Sequence, residues 1–257
     1  MEFFGYPLWV PVLICIGVFV AAFVDAIGGG GGLISLPVYL MAGLPYHNAL
    51  GTNKLSSCIG TVASTARYMK NGCVNWRLAS GSVVLAVAGA WLGTRLQLSL
   101  DERYLQYTLL VVLPVVAAVM LLRKSQLPET PGKIGTGAQM AVVWGASAVL
   151  GIYDGFYGPG TGTFLLMIFC YLGKMDVRTA SGNMKLANLA SNVGSLVTAL
   201  FAGTVILPLG LLAAVFSVTG HYLGAGMNLK NGTKIVRPVI LLVLVLLVVK
   251  VVLDMLS

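Results

Sequence analysis

The sequence predicts an all-α protein that crosses a membrane many times and is built from two copies of one five-segment unit. Apolar residues make up 58% of its 257 residues and charged residues only 9%, with a mean hydropathy of +0.91. A chain of that composition could not face water all round. A stretch with an acid, glycines and a lysine, residues 25–54, is repeated as residues 154–185. At about 20 residues per span, the chain has room for about eight to ten spans and none for a soluble domain.

Composition and motif content exclude several other classes of protein. The net charge of +8 is explained by basic residues gathered on one side of a membrane, so no nucleic-acid partner is expected. The four cysteines have neither metal-ligand nor disulfide spacing and are predicted to pack among apolar neighbours: Cys15, Cys58, Cys73 and Cys170. The chain contains no HExxH or GxSxG motif. We therefore predict no enzyme activity, no metal site and no cofactor.

Apolar runs and their breaks define five segments in each half. The second segment is short, carries Pro37 and Gly43, and is predicted to be a half-helix entered from extended glycines. The first half has residues 8–26, 33–46, 49–69, 78–96 and 105–122. The second half has residues 138–156, 162–172, 187–202, 207–227 and 239–253. Residues 1–122 thus form the first transmembrane repeat, residues 123–137 a cytoplasmic connector, and residues 138–257 the second transmembrane repeat.

A constant offset relates the two halves. Between Gly51 and Gly93, several residues are identical to the residue 131 positions later, and Lys54 with Lys185 is one of these pairs. They include Gly51, Lys54, Leu55, Gly72, Val74, Leu92 and Gly93. The last pair is Gly93 with Gly224. Identity at one offset over about forty residues indicates a duplication.

Charge placement predicts that the two repeats are inverted. The connector after the third segment carries Arg67, Lys70 and Arg77, whereas its counterpart at residues 202–207 carries no charge. The connector after the fourth segment is balanced, while its counterpart has only basic charges: Lys230, Lys234 and Arg237. If each half crosses five times, the basic connectors all face the cytoplasm and both termini lie outside. If the short segments do not cross, each half has four spans, and the basic connectors no longer all face the same side of the membrane.

Each motif copy places an acid, a glycine-rich break and a lysine in sequence that is almost free of charge. Charged side chains at membrane depth cost roughly 2.5–3.5 kcal/mol each on insertion scales, so they indicate function. A glycine break can leave N–H groups free at a helix start, where they attract anions. Other uses stay open, since glycines can pack helices and Lys54 and Lys185 can snorkel or form structural ion pairs. Asp25 and Asp154 can carry coupled protons.

Neutral polar residues complete a predicted anion site. Asn188 and Asn192 share a helix face with Lys185, although hydrogen bonding between helices competes for such side chains. Of the two histidines, His47 is predicted at the membrane interface and His221 as a hydrogen-bonded residue within a span, with a proton role as the alternative. The predicted substrate-binding residues are Gly29, Gly30, Gly31, Asn53, Lys54, Ser57, Gly160, Gly162, Asn183, Lys185, Asn188 and Asn192.

The motifs DAIGGGGGLISLP and GTNK, with their counterparts DGFYGPGTGTF and SGNMKLAN, resemble those of the TauE/SafE sulfite exporter family of prokaryotic inner-membrane proteins. The resemblance covers nearly the whole chain. It implies transport of small sulfur oxyanions or organosulfonates, such as sulfite or sulfoacetate. The implied site residues are Asp25 with the glycines after it, Asn53, Lys54, Asp154, Gly160, Gly162, Asn183 and Lys185. The second copy departs from the first at Pro159, Thr161 and Met184, so the halves need not contribute equally.

These features together predict a secondary transporter, an exporter of sulfite or an organosulfonate across the inner membrane by alternating access. Its expected partners are the small sulfur oxyanion and the lipid bilayer, and self-association as a homo-oligomer stays open. The alternative functions are an anion channel or a permease for another small oxyanion. A non-transporting assembly factor is a third reading, and it would bind no small anion.

Overall fold

The computed structural model describes residues 2–3, 5–101, 103–105 and 127–231, together with residues 234 and 238. Within these residues, eight helices follow a short antiparallel pair of strands, β1 (Glu2–Phe3) and β2 (Tyr6–Pro7). The first four helices are α1 (Trp9–Gly28), α2 (Gly32–Met41), α3 (Tyr46–Lys70) and α4 (Trp76–Leu98). The other four are α5 (Thr136–Phe156), α6 (Thr161–Tyr171), α7 (Val177–Phe201) and α8 (Leu207–Asn231).

Helix length and polarity divide these helices into three kinds. Helices α1, α4, α5 and α8 are long and apolar enough to cross a membrane, which makes the chain a multi-pass membrane protein. Helices α2 and α6 are apolar but have only 10 and 11 residues. They are therefore about 15 Å long, half of a bilayer core of about 30 Å. Helices α3 and α7 have 25 residues each and carry more than half of the buried polar side chains of the described residues.

Most predicted segments match helices, with two differences at their ends. Helix α7 begins at Val177, ten residues before the predicted start, because the side chain of Asp176 accepts hydrogen bonds from the N–H groups of Arg178 and Thr179 and caps the helix. The polar residues after Arg178 suggested a connector, yet they lie inside the protein. Tyr46 begins α3 rather than ending the half-helix, which stops at Met41. The predicted fifth span beyond Leu105 and the predicted tenth span, residues 239–253, lie outside the described residues.

Each packed pair of helices has a counterpart pair, in which both helices are replaced by the corresponding helices of the other half. Helix α1 packs along α8, as α5 packs along α4. Helix α3 also packs on α8, as α7 packs on α4, and α3 and α7 contact each other between these pairs. The polar helices α3 and α7 are thus flanked by apolar helices. This packing explains how buried polar side chains are tolerated at membrane depth.

Each short helix lies in its own apolar cluster. Leu36 and Tyr39 of α2 are fully buried among residues of α1, α3 and α8. Leu166 and Phe169 of α6 are fully buried among residues of α4, α5 and α7. The four cysteines are also buried, and none forms a disulfide. The clusters fix the two short helices so that their glycine-rich starts point toward the centre of the molecule.

Close helix contacts explain the glycines shared by the two halves. A Cβ atom at Gly93 would overlap the backbone oxygen of Ile152, and one at Gly224 would overlap that of Phe23. A Cβ at Gly51 would likewise meet Thr204, and the corresponding Gly182 abuts the backbone of Cys73. Since the start of α3 contacts the connector after α7, and the start of α7 contacts the connector after α3, these two helices run antiparallel.

The basic connectors gather on one face of the molecule. The Arg178 Nε lies 3.4 Å from the Cys73 Sγ, which joins the start of α7 to the connector after α3. The N–H of Gly132 donates to the Lys174 oxygen at 2.9 Å, which brings the connector before α5 to the same face. The basic residues of this face with exposed side chains are Lys70, Arg77, Lys133, Lys174, Arg178 and Lys230.

The crossings of α4 on α5 and of α8 on α1 give a first testable prediction. We expect Gly93→Ala or Gly224→Ala to lower the free energy of unfolding by about 1–3 kcal/mol, because the added Cβ meets backbone that cannot rotate away. Gly145→Ala is the matched control, since a Cβ at Gly145 of α5 meets no described atom within 4 Å. Thermal unfolding of the purified variants in detergent measures the difference. Equal unfolding temperatures for all three variants would show that these crossings are loose.

Candidate functional site

A small cavity lies where the two glycine breaks meet the middles of α3 and α7. It offers about 40 Å³ to water-sized groups, room for about three water molecules. Both halves line it, with small or polar residues in the majority. The lining residues are Val18, Ala21, Ala22, Asp25, Gly30, Gly31, Gly32, Ser35, Asn53, Lys54, Ser57, Asp154, Tyr157, Gly158, Pro159, Gly160, Thr161, Gly162, Asn188, Asn192, Ser217 and His221.

Two ion pairs cross between the halves beside this cavity. The Lys54 ammonium on α3 donates to the Asp154 carboxylate at the end of α5, at 2.8 Å. The Lys185 ammonium on α7 donates to the Asp25 carboxylate near the end of α1, at 2.5 Å. Each acid is therefore neutralised by the lysine of the opposite half of the chain. Both lysines lie eight residues into their helices and are buried, so neither snorkels to an interface.

Further hydrogen bonds hold each carboxylate in place. The Ser191 hydroxyl donates to the Asp154 carboxylate at 2.7 Å, and the Lys54 ammonium also donates to the Asn192 side-chain oxygen at 3.2 Å. On the other side, the N–H of Gly31 donates to the Asp25 carboxylate at 3.0 Å. Buried charges need such partners, because an uncompensated charge in apolar surroundings is strongly unfavourable.

The two pairs differ in which charge reaches the cavity. Lys54 and Asp154 both line it, whereas only the acid of the second pair, Asp25, does so. Lys185 is fully buried behind that carboxylate. The two sides of the site are thus related by the repeat but unequal in chemistry, with the accessible cation on the Lys54 side.

The two breaks between helices touch each other at the centre. Gly29 and Gly30 after α1, and Gly158 and Gly160 before α6, all have positive φ, which favours glycine. A Cβ at Gly29 would overlap the backbone of Gly162, so side chains would force the breaks apart. The Thr163 hydroxyl of α6 donates to the Gly28 oxygen at 2.9 Å and ties the breaks together.

The breaks leave backbone N–H groups available in the cavity. Among the described residues, the N–H groups of Gly30, Gly160 and Gly162 have no acceptor, and all three glycines line the cavity. Gly160 immediately precedes α6 and Gly162 lies in its first turn, where the helix dipole favours negative charge. Free N–H groups near a buried ammonium are suited to bind a small oxyanion.

The structure brings most of the predicted site residues together. Asp25, Asp154 and nine of the predicted substrate-binding residues line the cavity: Gly30, Gly31, Asn53, Lys54, Ser57, Gly160, Gly162, Asn188 and Asn192. Three predicted residues do not line it. Gly29 provides the contact between the breaks, and Lys185 neutralises Asp25. Asn183 is fully buried near the start of α7 and donates its amide to the Thr179 oxygen at 2.9 Å.

Most of the chain matches a family model in addition to these local features. The model described as sulfite exporter TauE/SafE matches residues 13–251, which include both breaks, both ion pairs and all eight helices except the first residues of α1. The chain belongs to the TauE/SafE family. This family assignment agrees with the resemblance drawn from the two motif copies, and it identifies the chain as a membrane transporter of TauE/SafE type.

Several relatives of the TauE/SafE chain are similar along almost its full length. It is 32% identical to the probable membrane transporter protein ORF9 of a Sinorhizobium species, over 93% of this chain and 91% of the relative. It is 31% identical to a probable membrane transporter protein of Haemophilus influenzae, over 95% and 94%. It is 30% identical to the probable membrane transporter protein YfcA of Escherichia coli K12, over 92% and 87%. No solved structure matches the chain.

Sequence reasoning missed several residues of this TauE/SafE cavity. Ser217 and His221 of α8 both line it, yet α8 carries neither motif. Ser217 was not predicted at all, and His221 was predicted only as a residue within a span, with a proton role as the alternative. Their spacing of four residues, which places both on one face of an otherwise apolar helix, is the signal that could have found them. Ser35, Tyr157 and Thr161 also line the cavity. They directly flank the breaks, so their positions follow from the motifs once the short helices are placed.

Proposed function

We propose that the chain is a secondary transporter that exports a small sulfur oxyanion, sulfite or an organosulfonate, across a prokaryotic inner membrane by alternating access. The observation that carries this proposal is the cavity between the halves, where an ammonium group and unpaired backbone N–H groups converge. These groups can replace the hydration shell of an anion. The direction and the sulfur chemistry rest on the family description.

Lys54 is the main cationic contact in the proposed binding mode. Its ammonium is shared between Asp154 and Asn192 and lies at the cavity wall, so an anion can approach without separating the ion pair. The amide groups of Asn53, Asn188 and Asn192 orient the oxyanion, and Lys185 acts indirectly by neutralising Asp25. Binding thus adds negative charge to a set of acids and lysines whose formal charges cancel.

Cavity size favours a compact ion within this substrate class. Room for about three water molecules fits an ion with four or five non-hydrogen atoms better than a molecule with an organic chain. Sulfite is therefore the preferred substrate, and sulfoacetate requires the cavity to widen. This preference refers to the conformation described here, in which the cavity is narrow.

Alternating access follows from an inverted arrangement of two five-segment repeats. The antiparallel packing of α3 and α7 and the exchangeable helix pairs support inversion, and the basic face is proposed to be cytoplasmic. Both ion pairs join one repeat to the other. The repeats would therefore rock about these ion pairs as a pivot, and this motion would expose the cavity first to one side of the membrane and then to the other.

A thermal-shift experiment on purified protein tests the proposed substrate class. We expect sulfite to raise the unfolding temperature at lower concentrations than sulfoacetate, taurine, thiosulfate or sulfate, because a ligand stabilises the state that binds it. No shift with any of these anions would reject a binding site in the cavity. Saturable counterflow of sulfite in proteoliposomes would then establish a carrier, while current that rises without saturation would indicate a channel.

Substitution of the cavity lysine gives a second test. We expect Lys54→Gln to weaken sulfite binding by about ten-fold or more, since a charge-assisted hydrogen bond contributes roughly 1.5–3 kcal/mol. Lys70→Gln is the control, because Lys70 is exposed at the end of α3 on the basic face. Titration calorimetry measures both variants. Equal sulfite affinity in the two variants would show that Lys54 is not part of the binding site.

A further inference from the structure

We propose that His221 takes up one proton when the anion binds, so that the transporter moves its anion together with a proton. This inference rests on the proposed function and assigns the coupling ion and the residue that carries it. It depends on three observations: an unpaired ring nitrogen in a residue that lines the cavity, the balance of charges around that residue, and the lack of a histidine at the equivalent position of the other half.

The imidazole of His221 is buried but lacks a partner on one side. Its side chain is only 2% exposed and yet lines the cavity. Its Nε2 lies 3.5 Å from the Thr61 hydroxyl and 4.0 Å from the Asp25 carboxylate. Its Nδ1 has no hydrogen-bond partner among the described residues. A buried polar atom without a partner costs about 1–3 kcal/mol, so a bound proton or ligand is the natural occupant of that position.

The charged groups that lie nearest to the imidazole on neighbouring helices have no net charge. Asp25 faces it from α1, and Lys185 of α7 is bonded to that same carboxylate. From α3, the neutral Thr61 hydroxyl contacts its ring, and Gly60 packs beside it. The nearest acid and lysine therefore cancel. A buried imidazole without a countercharge favours its neutral form, and an arriving anion supplies that countercharge.

Anion binding can then be coupled to one proton in a balanced step. An anion that enters the cavity adds a negative charge in a medium of low dielectric constant, which is unfavourable unless it is compensated. A hydronium ion from the side to which the cavity is open gives its proton to the Nδ1 lone pair of His221 and becomes water, and the new N–H donates a hydrogen bond to an anion oxygen. When the cavity opens to the other side, the anion leaves and the proton returns to water there.

The position equivalent to His221 in the other half holds no titratable side chain. The residue 131 positions before His221 is Ala90, which is fully buried on α4. The Lys54 side therefore holds an accessible cation, while the Asp25 side holds an imidazole. This asymmetry predicts one proton for each anion rather than two.

Calorimetric titration of wild-type protein in two buffers of different ionisation enthalpy counts the protons taken up. The probes are sulfite and sulfate, and sulfate has no titration of its own near neutrality. We expect about one proton per bound anion at a pH of about 7. We expect no uptake in His221→Gln, which keeps hydrogen bonding without titrating there. His47→Gln is the control and should match the wild type, because His47 lies outside the cavity lining.

Histidine NMR provides a measurement that needs no change at His221. The chain has two histidines, so His47→Gln leaves His221 as the single histidine signal in labelled protein. Added anion should shift its Nδ1 resonance from the unprotonated to the protonated range. Anion binding without proton uptake and without this shift overturns the proposal, whether or not His221→Gln folds. Absence of any anion binding to the wild type would instead overturn the proposed function.

Discussion

Lys185→Met is expected to lower the free energy of unfolding by roughly 3–5 kcal/mol, which is the usual cost of removing one partner of a buried ion pair. Lys185 is fully buried and its ammonium is bonded to the Asp25 carboxylate of the opposite repeat. Without it, the Asp25 carboxylate at membrane depth would keep, among the residues that the structure describes, only the Gly31 N–H and the nearby His221. The same change should also abolish transport, since the halves lose one of the two lysine–aspartate ion pairs that join them across the cavity.

The double variant Asp25→Asn with Lys185→Met separates charge from packing. We expect it to recover more than half of the lost stability, because both charges are absent and the asparagine oxygen can still accept from the Gly31 N–H. Lys70→Met, on the exposed end of α3, should change stability by no more than about 0.5 kcal/mol. Denaturant titration in mixed micelles measures all variants. If the double variant is as unstable as Lys185→Met, the loss of stability does not come from an unpaired charge on Asp25.

Gly29→Ala is expected to produce the second large loss, about 3 kcal/mol in stability and at least ten-fold in transport. Gly29 has φ +77 and ψ −176, a region essentially restricted to glycine, with a strain of about 1–3 kcal/mol for other residues. The added Cβ would also overlap the backbone of Gly162 in the opposite break. The breaks would have to separate, which would displace the N–H groups that face the cavity.

Gly72→Ala is the matched control for this substitution. Gly72 has φ +67 in the turn after α3, but a Cβ there meets no described atom within 4 Å. It should therefore show only the strain of a left-handed residue, about 1–2 kcal/mol, with transport retained. Counterflow in proteoliposomes and thermal unfolding measure both variants. Equal losses in Gly29→Ala and Gly72→Ala would mean that contact between the breaks is unimportant.

Much of the site could be predicted because its residues stand out against an apolar background. A lysine or an aspartate within membrane-type sequence has few uses, and the second motif copy marked the same positions independently. The short helices were also predictable, since their apolar runs are too short to span a bilayer. These signals are local along the chain, so one sequence was enough.

These signals could not predict that each ion pair joins an acid of one half to a lysine of the other half. Asp25 is closer in sequence to Lys54, yet it pairs with Lys185, 160 residues away. The partner depends on how the halves pack, and either pairing satisfies the same charges. The start of α7 was hidden for a related reason. Its first turns carry polar residues that indicate a connector by composition but are buried by contacts with the other half.

His221 shows a further limit of sequence reasoning. It was predicted as a hydrogen-bonded residue within a span, with a proton role as the alternative, and its Nε2 does lie near Thr61. The unpaired Nδ1 and the position beside Asp25 follow only from the packing of α8 on α1 and α3. A functional role outside the repeated motif leaves no internal duplicate to reveal it.

The most direct test is a crystal structure with selenite, an analogue of sulfite whose selenium gives an anomalous signal. We expect one strong peak in the central cavity, within hydrogen-bond distance of the Lys54 ammonium and of the N–H groups of Gly160 and Gly162. Lys54→Gln should weaken that peak. Peaks confined to the exposed basic residues, with the cavity empty at saturating selenite, would contradict an anion site between the two halves.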